Sequence, residues 1–405
     1  MKNKISLFGA AAAALAIASP LFAFEIAHDL PFNEERTLQN LVSEYNQKNK
    51  TQIRMRRLQG NNLQAGVLNV LSSPDAVLLN PKQYTPLYKM MANAKRPLKT
   101  ALVEHLKHGT TDRNGNMVAL PLFYSTPVLF YNKAHFNNAL IPQIQTPATW
   151  QEMQNMLALL QDSGSRCPYT STWPAWVHMD NVSAVSQEFA SSANQLKMNG
   201  LSQMRHIALM TTWQQALFFK TFGNENNAIK EFYNGHCSIL SADASAYATL
   251  KLSNVALDFT FLPHHNAGPR GATLTGGAAL WVSSGKKASD YKTAAAFVQF
   301  LLEPKTQLYL TQNAGTLPFT AAGQKLALKD LPTVDKALLN LELKSLKTTN
   351  NLRVAKIAAL RQIVDEELSD VWAGKKTAKT GLDMAETRGN DLLKRRAALK
   401  KNQPF

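Results

Sequence analysis

Few side chains in this sequence stand at spacings that could do covalent chemistry. His105 and His108 are three apart on a predicted helix and could share a metal ion, but two surface histidines account for the spacing as well. His264-His265 falls in a loop between Pro263 and Gly268, where solvent is a simpler neighbour than zinc. Asp365-Glu366-Glu367 gathers carboxylates, yet consecutive helix positions face different ways and make a poor acid–base pair. Cys167 and Cys237 are the two cysteines. In an oxidising compartment they could form one disulfide; as two buried thiols they would pack like small apolar groups, and spacing alone does not choose. The motifs G-x-S-x-G, H-E-x-x-H, C-x-x-C and G-x-x-x-x-G-K-[ST] are absent from the sequence. No catalytic residue, metal ligand or cofactor is therefore expected, and a secreted hydrolase remains only as an alternative. The Asn181-Val182-Ser183 sequon by itself assigns no chemistry to the chain.

The 405 residues, 45% of them hydrophobic and 18% charged, compose like a folded chain long enough for two domains. A formal net charge of +16 favours anionic partners. The basic residues are dispersed; the densest group, Lys394-Arg395-Arg396 with Lys400-Lys401, reads as a solvated helix end, so nucleic acid is not expected as a partner. At the N-terminus Lys2 and Lys4 precede an apolar run from Ile5 to Ala18, then Pro20 and Leu21-Phe22-Ala23. That order is a secretory signal, with cleavage expected after Ala23. The alternative, an uncleaved anchor, is opposed by a run shorter than the ~20 residues a spanning helix needs. Residues 1–23 hold no cysteine for lipid attachment, which points to a soluble protein of a Gram-negative periplasm. No later stretch has the apolar length to span a membrane.

Strands and helices alternate. Glu25 to Leu30 predicts a strand, and Asn33 caps a helix with Glu34 and Glu35 in its first turn and Leu38, Leu41, Val42 and Tyr45 on one face. Ile53 and Met55 alternate with arginines, and Ala76 to Leu79 reads as a buried strand. Met117 to Tyr131 is a β-rich run broken at Ser125-Thr126-Pro127, where proline calls for an edge, a bulge or a crossing between lobes. Thr149 to Glu152 is a capping box, with Gly164 placed to end its helix. Further strands are expected at Arg166–Thr172, Cys237–Ser241 and Ala278–Val282, and a helix at Tyr291–Leu302. From Leu352 onward the chain reads as helical, punctuated by Gly374, Gly381 and Gly389. The pattern predicts α/β architecture with mainly parallel sheets covered on both faces.

Several blocks resemble one family. They are Ser125-Thr126-Pro127-Val128-Leu129-Phe130-Tyr131-Asn132-Lys133, Arg166-Cys167-Pro168-Tyr169, Trp173-Pro174-Ala175-Trp176 and Phe232-Tyr233-Asn234-Gly235-His236-Cys237. Gly276-Gly277-Ala278-Ala279-Leu280-Trp281, Gly315-Thr316-Leu317-Pro318 and Ile363 through Trp372 follow. Together they are similar to the glycerol-3-phosphate-binding proteins of ABC importers, within the maltodextrin-binding-like group. The resemblance implies a two-lobed type II periplasmic binding protein with its ligand cleft at the hinge. One lobe would comprise 24–130 and 267–313, the other 131–266 and 314–405. It also implies a monomer that closes on a small anionic ligand, glycerol-3-phosphate or a glycerophosphodiester, and meets the permease subunits of an importer. An unphosphorylated sugar or oligosaccharide is the alternative ligand.

The family pattern gives residues their expected roles. Arg361 matches the phosphate-binding arginine, whose planar fork suits bidentate contact; pairing with Asp365 one turn on is the structural alternative. Gly277 matches a glycine whose backbone N–H approaches the ligand, and Ser125 a hydroxyl donor. Trp173 and Trp176 would pack on the C–H side of a polyol. Four positions depart. A family tyrosine is Asn62, the acidic position falls near Asn80-Pro81-Lys82, a serine becomes Asp243, and a tyrosine becomes Thr316. Asp243 is expected to recognise hydroxyls or a cation, with Lys82 available to phosphate or to Asp243.

Overall fold

The computed structural model describes residues 24–58, 66–72, 81–107, 109–112, 114–142, 146–185, 191–192, 195–265, 270–346 and 358–401. Strands β1 (Glu25–His28), β2 (Arg54–Arg57), β3 (Leu68–Leu71), β4 (Tyr84–Thr85) and β5 (Leu120–Ser125) build the first sheet. β6 (Pro127–Asn132), β7 (Tyr169–Ser171), β10 (Ile239–Asp243) and β11 (Leu257–Phe261) build the second. β8 (Ser191–Ser192) and β9 (Gln195–Leu196) pair apart from both, and β12 (Gly276–Ser283) returns to the first. The orders are β2-β1-β3-β12-β4 with β5 on β12, and β11-β6-β10-β7.

Both sheets are mixed, where mainly parallel ones were expected. β1 runs parallel to β2 and β3, and β7 to β10. β12 opposes β3, β4 and β5, while β6 opposes β10 and β11. The crossings explain this. β5 and β6 are separated by Thr126 alone, so β6 enters the second lobe at the cleft and runs outward, whereas β7 and β10 end at the cleft. β12, coming back from the second lobe, likewise starts at the cleft. Pro127 is the first residue of β6, a strand position where its missing N–H is tolerated. Buried Glu342 holds the crossing, its Oε1 accepting from Thr126 N at 2.9 Å and Thr126 Oγ1 at 3.2 Å. Burial pushes Glu342 up to about 8, against the pull of those donors.

The lobe boundaries move accordingly. The first division falls at Thr126, because β6 is hydrogen-bonded wholly into the second sheet. The segment after residue 314 stays with the first lobe: Leu317, Phe319, Leu331, Leu339 and Leu346 join its core, and Leu317 N donates to Tyr124 O at 2.7 Å. The second lobe recovers the chain with helices Ala358–Trp372 and Ala378–Lys401, whose Leu360, Val364, Leu368 and Leu382 pack around Trp150 and Trp213.

Local signals fare well where they are self-contained. Helix Trp150–Asp162 has the full Thr149/Glu152 capping box, and Gly164 turns the chain at φ 98°. Helix Phe32–Asn49 buries the expected face but begins after Pro31; Asn33 lies inside its first turn and donates to Asn313 O instead of capping. Gly374, at φ 70°, separates the last two helices, whereas Gly381 and Gly389 lie within the second of them. A Cβ there would come within 2.5 Å of Val371 Cγ2 or 2.4 Å of Leu196 Cδ2, so these glycines serve close packing. The expected strand at Ala76–Leu79 lies outside the described residues.

Cys167 and Cys237 form a disulfide, with Cα atoms 4.5 Å apart and a sequence separation of 70. It fastens the entries of β7 and β10. Closing so long a loop restricts the unfolded chain, so the Cys167→Ala/Cys237→Ala double variant should lose about 2–4 kcal/mol. Urea unfolding reads this directly; an unmoved midpoint would remove the bridge from the stability account.

Candidate functional site

The two glycines at the start of β12 lie beside the end of β5, Gly276 opposite Ser125 and Gly277 opposite Tyr124. Gly277 adopts φ 132°, and a Cβ there would sit 1.7 Å from Phe123 O. Only glycine fits, which leaves its backbone open to the cleft. Gly276 is pressed by the other lobe: a Cβ would be 2.9 Å from Trp176 Cε2. Trp176 is buried, and its Nε1 has no partner among the described residues. Ser125 is buried beside them, and its hydroxyl makes no hydrogen bond among the described residues.

Trp176 belongs to a π-helical turn, Ala175–Asn181, that also carries Asp180. Arg361, on helix Ala358–Trp372, places Nε 3.3 Å from Asp180 Oδ2. Its side chain is 32% exposed against 9% for Asp180, so the anchor is buried while the fork remains accessible. Asp365, the alternative partner, instead accepts from Ala175 N at 2.9 Å and holds the start of the turn. Burial pushes Asp365 up to about 7, although Ala175 N–H and Arg361 pull the other way. Arg361 also acts electrostatically on Tyr124 of the first lobe, whose hydroxyl burial pushes up to about 12. One partly exposed guanidinium thus acts across the cleft on Tyr124, which precedes Ser125 and faces Gly277 in the β5–β12 pairing.

The opposite wall is acidic. Trp173 holds a left-handed φ of 45°, which is strained for so large a residue, and its indole donates to Asp243. Ser245 Oγ also donates to Asp243. Burial raises the Asp243 pKa despite these donors. Glu34, in the first turn of helix Phe32–Asn49, is raised well above its usual value by burial and then by Asp243 and Asp29. Both carboxylates keep some exposed surface but are walled in by the cleft, which is why burial leads. Neither has a cationic partner among the described residues. Thr316 is buried just after Gly315, which packs against Ala244 and Ser245, and its Oγ1 has no partner among the described residues.

Ser125, Gly277, Trp173, Trp176, Arg361, Asp243 and Thr316 are therefore assembled around one cleft. Lys82 is not. It is exposed on the turn Pro81–Gln83, whose Gln83 O accepts from Ser284 N at 2.7 Å. β12 separates Ser284 from Gly277 by seven residues, roughly 20 Å at strand rise, so Lys82 cannot reach Asp243. Asn62 lies outside the described residues. Sequence reasoning missed Tyr124, Asp180 and Glu34. Asp180 offered a signal, a lone carboxylate amid Trp176-Val177-His178-Met179, whereas Glu34 looked only like a helix-dipole residue.

Behind the π-helical turn the structure departs from the expectation of solvent-facing histidines. His178 Nδ1 lies 2.9 Å from His206 Nε2, and His206 Nδ1 lies 2.9 Å from His265 Nε2. All three are buried around Trp150. His105 also has a buried Nε2 with no partner among the described residues, and His108 lies outside them. Burial lowers His178 to about 3 and His265 to about 4, and drives His206 well down with help from its two neighbours. The folded state keeps these rings neutral. Their contribution is complete above the unfolded value of about 6.5 and is lost as pH falls toward 4 and then 3, at up to about 1.4 kcal/mol per ring and pH unit. Thermal midpoints should therefore fall steeply between pH 6.5 and 4.5, and less steeply in His265→Gln; equal slopes would exonerate the histidines.

Two α/β lobes joined by short crossings over a donor-rich cleft define a type II periplasmic binding protein. Comparison with known proteins agrees, and the chain belongs to the bacterial extracellular solute-binding protein family, whose profile matches residues 40–335. The sn-glycerol-3-phosphate-binding periplasmic protein UgpB of Pectobacterium atrosepticum is 32% identical over 348 residues, 81% of this chain and 78% of that protein. UgpB of Salmonella typhimurium is 33% identical over 349 residues, 81% and 80% of the two chains. Among solved structures, UgpB from Mycobacterium tuberculosis in complex with glycerophosphocholine superposes with TM-score 0.77 at 16% identity, covering 93% of this chain and 99% of that one. The GacH receptor of Streptomyces glaucescens, solved unliganded and with acarbose, gives 0.75 at 15% identity, covering 92% and 98%. The protein is a solute-binding component of an ABC importer.

Proposed function

We propose that the cleft captures glycerol-3-phosphate or a glycerophosphodiester by lobe closure and delivers it to the importer's permease. The observation that carries this is Arg361, anchored through Nε by Asp180 3.3 Å away and acting electrostatically across the cleft on Tyr124, the residue that faces the open backbone of Gly277. Phosphate losing its water on entry needs such donors. Asp243 and Glu34 would repel the phosphate and accept hydroxyls or a cationic end, which sets the ligand's direction. Trp173 and Trp176 would cover its C–H surface. Ligand held by both lobes stabilises the closed state, and the permease would read that state. The named ligands of the similar UgpB proteins support this reading. We place the mature protein in the periplasm as a monomer, its leader removed after Ala23.

The second reading, an unphosphorylated sugar or oligosaccharide, is favoured by the same carboxylate pair, since carboxylates accept sugar hydroxyls well. A thermal-shift panel separates the two. Saturation with sn-glycerol-3-phosphate or glycerophosphocholine at about 100 times Kd should stabilise by about 2.7 kcal/mol, with the ligand recovered unchanged. Stabilisation by maltose alone would transfer the assignment to sugars, and a recovered product would replace binding with catalysis.

A further inference from the structure

A second concavity, of about 460 Å³, lies at the far end of the second sheet. Arg166 and Lys220 line it together with His135, Ser165, Phe222 and His236. β7 and β10 both run from this end toward the cleft, Cys167 and Cys237 preceding them and Trp173 and Asp243 lying at their other ends. Six residues of extended chain separate Cys167 from Trp173, which places the concavity roughly 20 Å from the cleft. It is thus distinct from the site above.

Its chemistry is that of an anion receptor. Arg166 and Lys220 are exposed, and neither pairs with a carboxylate among the described residues. Lys220 Nζ lies 5.6 Å from the centre of the Phe222 ring, which leaves its protons for a guest. The carboxylate in the lining, Glu231, is engaged by His236 Nδ1 at 2.9 Å. Buried Ser238 fixes the floor, with Ser165 Oγ at 2.7 Å and His135 Nδ1 at 2.8 Å. The Cys167–Cys237 bridge joins the backbone beside Arg166 to that beside His236, so the two residues rise from one covalently fastened base.

We infer that this concavity is a second anion site, which takes a small phosphate- or carboxylate-bearing solute independently of the cleft. Its volume exceeds that of a lone phosphate, and Phe222 supplies an apolar wall for an organic remainder.

Inorganic phosphate is the probe, titrated calorimetrically at low ionic strength into wild type, Arg361→Ala and Arg166→Ala/Lys220→Ala. Arg361→Ala retains the outer site. Arg166→Ala/Lys220→Ala loses it, with phosphate affinity there at least tenfold weaker and the melting midpoint without phosphate unchanged, since both side chains are exposed. The inference is overturned if the double variant reproduces the wild-type isotherm, or if wild type binds one equivalent that vanishes in Arg361→Ala. The readout is the loss in the double variant, so failure of glycerol-3-phosphate binding in the cleft leaves this test intact.

Discussion

Arg361→Ala is expected to lower the affinity for glycerol-3-phosphate by roughly 30-fold or more. Truncating one partner of a desolvated, hydrogen-bonded charge pair costs about 2–5 kcal/mol, much of it from leaving the other charge buried and unpaired. Each 1.4 kcal/mol is about tenfold in Kd. On the proposed reading the other charge is the ligand's phosphate, which would lie between Trp176 and the Gly276-Gly277 backbone and face Glu34 and Asp243. Arg361→Lys should recover only part of the loss, because a point charge cannot reproduce the fork. Asp180→Asn tests the anchor: it keeps a hydrogen-bonding oxygen for Arg361 Nε and should weaken binding less than the truncation. Ligand-free Arg361→Ala should also melt lower, since the ion pair between Arg361 Nε and Asp180, 9% exposed, is removed. Calorimetric affinities within threefold of wild type would remove Arg361 from the phosphate site.

Gly277→Ala is expected to be the most damaging single-methyl change in the cleft, costing about 3 kcal/mol or more. Two effects combine. The φ of 132° is one that L-residues rarely adopt, and the new Cβ would fall 1.7 Å from a backbone oxygen, Phe123 O, which has no flexible end to swing away. Relief requires β5 and β12 to part at the Tyr124–Gly277 pair, which moves Ser125 as well. Gly164→Ala is the control. It shares a positive φ, 98°, but a Cβ there meets nothing within 4 Å, so about 1 kcal/mol is expected. Urea unfolding of the two variants should differ clearly, and equal costs would mean that the close approach is not what demands glycine.

These expectations rest on features of unequal legibility in the sequence. The Thr149 capping box, the Leu38–Tyr45 face and the break at Thr126-Pro127 are readable because the residues that determine them are neighbours. Sheet polarity was not readable, because it depends on where a strand enters its lobe, and β6 and β12 arrive from the other one. Lys82 was misplaced for the same reason. A match of position along the chain says nothing of which end of β12 the turn Pro81–Gln83 pairs with. His265 looked solvated from Pro263 and Gly268, yet its ring is drawn into a core by His206 and Trp150, which are distant in sequence. The family pattern singled out Ser125, Gly277 and Trp176, which the fold brings together at the Gly276 approach, but also Lys82, which lies elsewhere; the anchor at Asp180 and the facing carboxylate at Glu34 emerged only from packing.

The central claim is that the two lobes close on a phosphate ester held by Arg361. Small-angle scattering with and without saturating sn-glycerol-3-phosphate tests it most directly. The radius of gyration should fall on addition of the ligand and stay unchanged in Arg361→Ala. A radius that is the same with and without phosphate esters, but contracts on addition of maltose, would contradict the account.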